Sequence, residues 1–479
     1  MTEQAPGTTA GAGGPTAAPG LQRELGVSHI VFMVVAMAAP LTVFAGLIPL
    51  MLGTGNGIGT PGDFVFVGLV LVLFTVGYSA MTPQVRDVGA FYSYVQRGLG
   101  TTVGLGAAAL ALVTYSVLLV SVTGYFGAAA VTVIETFSSV SVPWWMLAAA
   151  GLAAVGYLGY LDVEVSARVL GVLLVAEIAI VAVIDLAIVV RGGADGLSAE
   201  PLSWAAFTSG TPATGIMFAV FGFVGFEATA VFRSEAKNPD RTVPRATYIA
   251  VTIIAAIYAL SSWAMIMGAG VDRAGGLAAE DPQGLAAGLA TRYVSQVAHD
   301  AVQVLLVTSF FACLLTAHNV VARYLFDLGR QRALPIRLGA VHPAYRSPHV
   351  ASLLTSAVIS ALVAITAIVG LDPVTQIYAW FGGTGTLGLI ALLTLTSAAI
   401  VVHFRRDSSA NAWRGTIAPA LAFAALGFIL VLVIGNFELL IGSRALANVF
   451  LAVLATAFLG GLAWATALHR QQPRYDSLT

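Results

Sequence analysis

Residues 217–246 read MFAVFGFVGFEATAVFRSEAKNPDRTVPRA. The first half is as apolar as a membrane span, yet it holds Gly222, Gly225 and Glu227. Glycine weakens a helix, and a carboxylate in hydrocarbon is costly unless it faces an interior. In lipid, an interrupted helix is tolerated only where the freed backbone is buried in protein or lines a cavity. The stretch therefore reads as a span with a deliberate weak point. Its second half, dense in charge and proline, ends one helix and starts the next.

The rest of the chain supplies the setting. Of 479 residues, 58% are hydrophobic and 9% are charged, where a soluble domain carries about 25% charged residues. That inventory cannot cover a water-facing surface, so an all-α polytopic membrane protein is expected. Windows of about 20 apolar residues mark candidate spans. They fall at roughly 28–51, 63–82, 102–134, 143–161, 168–190, 212–233, 246–269, 300–328, 350–370, 374–402, 416–436 and 445–468, which makes twelve. The third and eighth are long enough to tilt or to extend beyond the bilayer.

With the N-terminus in the cytoplasm, 18 of the 22 lysines and arginines fall inside, and Arg191, Arg273, Arg292 and Arg444 fall outside. This bias places both termini in the cytoplasm, for a multi-pass protein of the plasma (inner) membrane. Residues 1–22, rich in Gly, Ala, Pro and Thr, are expected to form a disordered cytoplasmic tail, with no cleaved signal peptide. Residues 470–479 form the second tail. The outer loop 270–299 is expected to hold a short interfacial helix. Loop 83–100 mixes aromatics and charges at helical spacing, which suits a segment lying on the membrane or folding part-way in. The one cysteine, Cys313, excludes an internal disulfide.

A second weak point mirrors the first. In the first span, VVAMAAPLTVFAG (residues 34–46) places Pro40 mid-helix, followed by Thr42. Proline and glycine are common in membrane helices, so either break alone says little. Interrupted segments at matching places in two halves, here spans one and six, point to an inverted-repeat carrier with its site at the midplane. Half-helix N-termini suit an anion and freed carbonyls suit an ammonium, so a paired break can hold a zwitterion.

Acids inside spans are candidates for coupling. Glu177 in span five reads either as a proton carrier or as a hydrogen-bonded structural acid. Glu227 reads as an anchor of the broken helix, and Asp185 as interfacial. Trp380 and Phe381, ahead of several glycines, read as a gate or as an aromatic belt. GxxxxGK[ST], HExxH and paired CxxC motifs are absent, so no ATP motor, metal site or cofactor is expected, and no nucleic-acid partner or enzymatic chemistry.

GFEATAVFRSEAKNPDRTVPRA (residues 225–246) resembles the sixth helix and following loop of the amino acid–polyamine–organocation (APC) permease superfamily, of the bacterial amino acid permease type. PQVRDVGAFYSYVQRGLG (83–100), TAHNVVARYLFDLGRQRALPIRLGAVHPAYRSPHVA (316–351) and FGGTGTLGLIALLTLTSAAIVVHFRR (381–406) resemble further segments of it, in order. The resemblance implies a LeuT-like five-plus-five inverted repeat, with repeats at about 23–191 and 212–404 in a core of 23–410. Two added helices would fill 411–469. It implies a substrate held by Ala39, Pro40, Leu41 and Thr42 on one side and Phe221, Gly222, Phe223, Val224 and Gly225 on the other. Many amino acid members carry Gly-Ser-Gly where this chain has Pro40-Leu41-Thr42, so one backbone donor for a carboxylate is missing. Some proton-coupled relatives place a lysine in helix five, near the register of Glu177; Glu177 and Glu227 are therefore the coupling candidates. The expected activity is secondary active import, by alternating access, of an amino acid or related small amine with a proton as coupling ion. An exchanger of the same fold is the alternative, and a channel or a non-transporting nutrient sensor the alternative from another class.

Overall fold

The computed structural model describes residues 26–85, 90–138, 140–161, 167–227, 236–407 and 410–471. The tails and residues 228–235, the second part of the expected sixth span, lie outside the described residues. Among the described residues the elements are helices. The first half comprises α1 (Val27–Met37) and α2 (Pro40–Thr42, running through a π-helical turn, Val43–Leu47, into Ile48–Thr54). It continues with α3 (Thr60–Met81), α4 (Ala90–Leu99), α5 (Thr101–Phe137), α6 (Trp144–Leu161) and α7 (Ala167–Val190). The short α8 (Trp204–Ser209) precedes α9 (Pro212–Gly222) and α10 (Pro239–Ala269). Then come α11 (Ala274–Glu280), α12 (Gly284–Tyr293), α13 (Gln296–Arg330) and α14 (His349–Val369). A π-helical stretch, Pro373–Phe381, leads into α15 (Gly382–Arg406); α16 (Ala418–Ile441) and α17 (Arg444–Gln471) complete the chain.

Among the described residues, eleven candidate spans are long and apolar enough to cross a membrane. The sixth expected span is represented by α9, whose 11 residues are too few to cross alone. The helix ends follow local chemistry. Pro212 stands at the start of α9, where its missing N–H costs nothing. The Ser295 hydroxyl caps α13 by accepting the Ala298 N–H at 3.2 Å. Asp372 accepts the N–H groups of Val374 and Thr375 at 3.0 and 2.6 Å and so starts the π-helical stretch.

The 37-residue α5 and the 35-residue α13 form the spine. Close approach is made by small residues, as expected where lipid supplies no hydrophobic drive between helices. A Cβ at Gly388 would lie 2.1 Å from the Thr114 hydroxyl, and one at Gly461 2.8 Å from the Gly106 Cα. The segment before α5 folds inward. Phe91, Tyr92 and Val95 of α4 are buried, and a Cβ at Gly98 would sit 2.2 Å from the Ala399 carbonyl oxygen.

Two ends of the bundle can be distinguished. At the first, Gln331 Nε2 donates to Tyr92 Oη at 3.1 Å, near the arginine-bearing ends of α4 and α13. At the opposite end, the Ala194 N–H donates to the Met267 carbonyl (2.8 Å), and Thr211 Oγ1 donates to the Gly55 carbonyl (2.6 Å).

Candidate functional site: a cavity between two unwound turns

Helix α1 stops at Met37, and the chain restarts as α2 at Pro40. Between them Ala39 takes φ +46°, ψ +72°, the left-handed region, where an L-residue with a Cβ is strained by about 1–2 kcal/mol. The groups freed here find partners. The Tyr258 hydroxyl donates to the Ala38 carbonyl at 2.7 Å, and the Tyr125 hydroxyl to the Ala45 carbonyl, released by the π-turn, at 3.3 Å. Pro40 brings no N–H to the new helix start.

The second break begins where α9 ends at Gly222. Residues 223–225 are turn, and Gly225 has φ +105°, a conformation that favours glycine. A Cβ there would lie 3.3 Å from Met37 Cβ, so the two unwound turns touch. Glu227 holds this turn in place. Its Oε2 accepts the Gly225 N–H at 2.9 Å, and its Oε1 accepts the Tyr115 hydroxyl of α5 at 2.7 Å.

Between the turns lies a cavity of about 110 Å³. Ala39 and Thr42 line it from one turn, and Phe221, Gly222, Val224 and Gly225 from the other. Val43, Leu47, Leu118, Val122 and Val320 give it an apolar body, and Tyr115, Glu227 and Thr316 a polar side. Aromatic rings close both ends. On the side of the opposite end, Tyr125 stacks on Phe310 with centroids 4.3 Å apart, and Tyr378 meets both Tyr125 and Phe221, at 4.7 and 5.4 Å. Toward the arginine-bearing end, Tyr324 packs on Tyr115 and Tyr92, at 5.6 and 5.7 Å.

Three of the nine residues expected around the substrate are placed elsewhere. Pro40 lines a separate crevice between α7 and α10, Leu41 is fully buried outside the cavity lining, and Phe223 packs on Tyr258 at 6.2 Å. Trp380 and Phe381 are also absent from the lining. Phe381 packs on Phe450 of α17 at 5.5 Å, while Tyr378, two residues earlier than Trp380, reaches the cavity. Glu177 lies behind the first break in a side cavity of about 40 Å³ that shares Met37, Ala39, Cys313 and Thr316 with the main one. A chain of hydroxyls leads to it: Thr42 Oγ1 donates to Ser309 Oγ (2.8 Å), which donates to Glu177 Oε2 (3.0 Å). Asp185 accepts from Ser261 at 2.5 Å, and His318 is a core residue whose Nε2 pairs with Ser356 at 2.9 Å. Tyr115, Tyr378, Thr316 and Ser309 were not anticipated. The tyrosines and Ser309 join through contacts more than a hundred residues apart in sequence, which no local pattern announces. Among the described residues, no cluster of three or more His, Cys, Asp or Glu is arranged to hold a metal ion.

Interrupted helices around a shared cavity are the arrangement found in carrier-type membrane proteins. A solved manganese transporter of Eremococcus coleocola shares the fold, with TM-score 0.62 at 15% identity, over 94% of this chain and 98% of that one. The chain belongs to the amino acid permease family, whose model matches residues 29–469. The low-affinity putrescine importer PlaP of Escherichia coli K12 is 26% identical over 361 residues, 72% of this chain and 75% of the relative. The branched-chain amino acid permease BcaP of Bacillus subtilis 168 is 23% identical over 447 residues, 86% and 88%. The uncharacterized transporter Rv1999c of Mycobacterium tuberculosis H37Rv is 34% identical over 159 residues, 33% and 34%.

Proposed function

We propose that the protein is a secondary carrier of the plasma membrane that imports an amino acid or small amine through this cavity by alternating access. The observation that carries the reading is the contact of two unwound turns around one apolar cavity with a carboxylate at its side. Irregular backbone at membrane depth needs such a cavity, and the family and its two named relatives supply the substrate classes. The Thr42–Ser309–Glu177 chain supports proton coupling, because it links the first break to a buried acid through groups that both donate and accept. Both termini are cytoplasmic in this reading, which rests on the arginine asymmetry. The test is reconstitution of the full chain in proteoliposomes. Uptake of a binding amino acid or amine that rises with an imposed inward proton gradient supports the reading. Equal uptake with and without any gradient, together with full counterflow, would assign it to exchange instead.

A further inference from the structure

Asp185 is a carboxylate that the proposed transport route does not use. It stands on α7, six residues before Arg191, and so lies about 9 Å below that arginine along the helix. An arginine at the end of a span marks the headgroup level, which puts Asp185 beneath it. Its Oδ2 accepts the Ser261 hydroxyl of α10 at 2.5 Å, while Oδ1 is buried without a hydrogen-bond partner among the described residues. With or without a proton, that oxygen lacks the partner a buried polar atom needs.

The carboxylate lines a crevice of about 360 Å³ between α7 and α10, a size within the range of small-molecule sites. Ile178, Val181 and Val189 of α7 and Ile257 and Leu260 of α10 make its walls apolar. Trp263 completes one wall, and its indole N–H is held by the Ser198 carbonyl at 2.8 Å. Leu186 and Leu260 are each 64% exposed, so the crevice opens on the lipid-facing surface of the bundle. It shares no lining residue with the substrate cavity or its side chamber. Among the described residues, no lysine, arginine or histidine lines it.

These features describe the missing partner. Apolar walls open to lipid suit a hydrocarbon chain that arrives through the bilayer. An ammonium brings the unpartnered carboxylate a donor and a counter-charge together. We infer that the crevice is a binding site for a lipid-soluble, single-chain primary amine, its ammonium on Asp185 and its chain along α7 and α10. The nitrogen of a phospholipid headgroup stays in the polar layer, above the depth of Asp185, so the occupant is a free amine and not an aminophospholipid.

Photolabelling tests it. The full chain in phosphatidylcholine nanodiscs is irradiated with a dodecylamine that carries a mid-chain diazirine, and labelled peptides are mapped by mass spectrometry. Saturable labelling is expected within residues 178–189 and 257–264. Dodecylamine should compete for it at a concentration at least about tenfold below dodecanol, as a charge-assisted hydrogen bond implies. Asp185→Asn keeps an acceptor for Ser261 and should remove that preference. Where this variant does not fold, Ala182→Phe, placed on the exposed rim, fills the crevice and should abolish the labelling. Phosphatidylethanolamine that competes as well as dodecylamine would give the site to a lipid headgroup and overturn the inference. Labelling that does not saturate, equal competition by the alcohol, an amine preference unchanged in Asp185→Asn, or labelling that survives Ala182→Phe would overturn it too.

Discussion

The hydrogen bonds on Glu227 give the sharpest quantitative expectation. Tyr115 Oη donates to one carboxylate oxygen at 2.7 Å and the Gly225 N–H to the other at 2.9 Å, joining α5 to the second unwound turn. A hydrogen bond to a charged group contributes about 1.5–3 kcal/mol, against an average of about 0.6 kcal/mol for interhelical side-chain bonds in a membrane protein. Tyr115→Phe should therefore cost about 1.5–3 kcal/mol of stability. Glu227→Gln should cost more. Its amide nitrogen must face one of two donors, leaving a buried N–H or O–H without an acceptor, at about 1–3 kcal/mol beyond the lost charge. In the double variant the tyrosine has at most a neutral amide bond to lose, worth about 0.5–1.5 kcal/mol, so the coupling should be about 1–1.5 kcal/mol. Equilibrium unfolding of the four proteins in mixed micelles, titrated with a denaturing detergent, gives the cycle. Additivity within about 0.5 kcal/mol would refute the anchoring geometry.

Other consequences follow from the same residues. Gly225→Ala puts a Cβ at φ +105° and 3.3 Å from Met37, so a loss of about 1–3 kcal/mol is expected in the same titration; wild-type stability would mean that the turn is not held in this form. Glu177→Gln and Ser309→Ala should each flatten the dependence of uptake on an imposed pH gradient while leaving gradient-free counterflow measurable; intact coupling in both would remove the relay. Tyr378→Ala should weaken substrate binding about tenfold by opening the aromatic closure, whereas Trp380→Ala, outside the cavity lining, should stay within about twofold; the opposite ranking would place the gate at Trp380.

The sequence carried the fold through composition and the site through its irregularities. Gly225 marks the second break because the local backbone needs it, as its positive φ shows, while Gly222 ends α9 in helical backbone. The first break is less legible. Pro40 starts α2 rather than interrupting it, and the strained residue is Ala39, an alanine with no compositional mark. Side-chain direction explains the misplaced neighbours. Leu41 and Phe223 sit beside cavity-lining residues but face the packed core, and one step along a helix turns a side chain by about 100°. In the stretch before α15, π-helical winding changes that rotation, and Tyr378 instead of Trp380 reaches the cavity. The tyrosine closures at both ends depend on residues from α4, α5, α9 and α13, brought together only by the fold.

The central claim, that substrate passes between the two unwound turns, is open to one direct measurement. Cys313 is the sole cysteine of the chain and lines both the cavity and its side chamber. Proteoliposomes are treated with 2-aminoethyl methanethiosulfonate during uptake, and modification is quantified by mass spectrometry. Modification that abolishes uptake, is slowed by saturating substrate, and leaves a Cys313→Ala carrier fully active is the predicted result. Full uptake by protein quantitatively modified at Cys313, or a thiol that stays unmodified through many transport cycles, would contradict it.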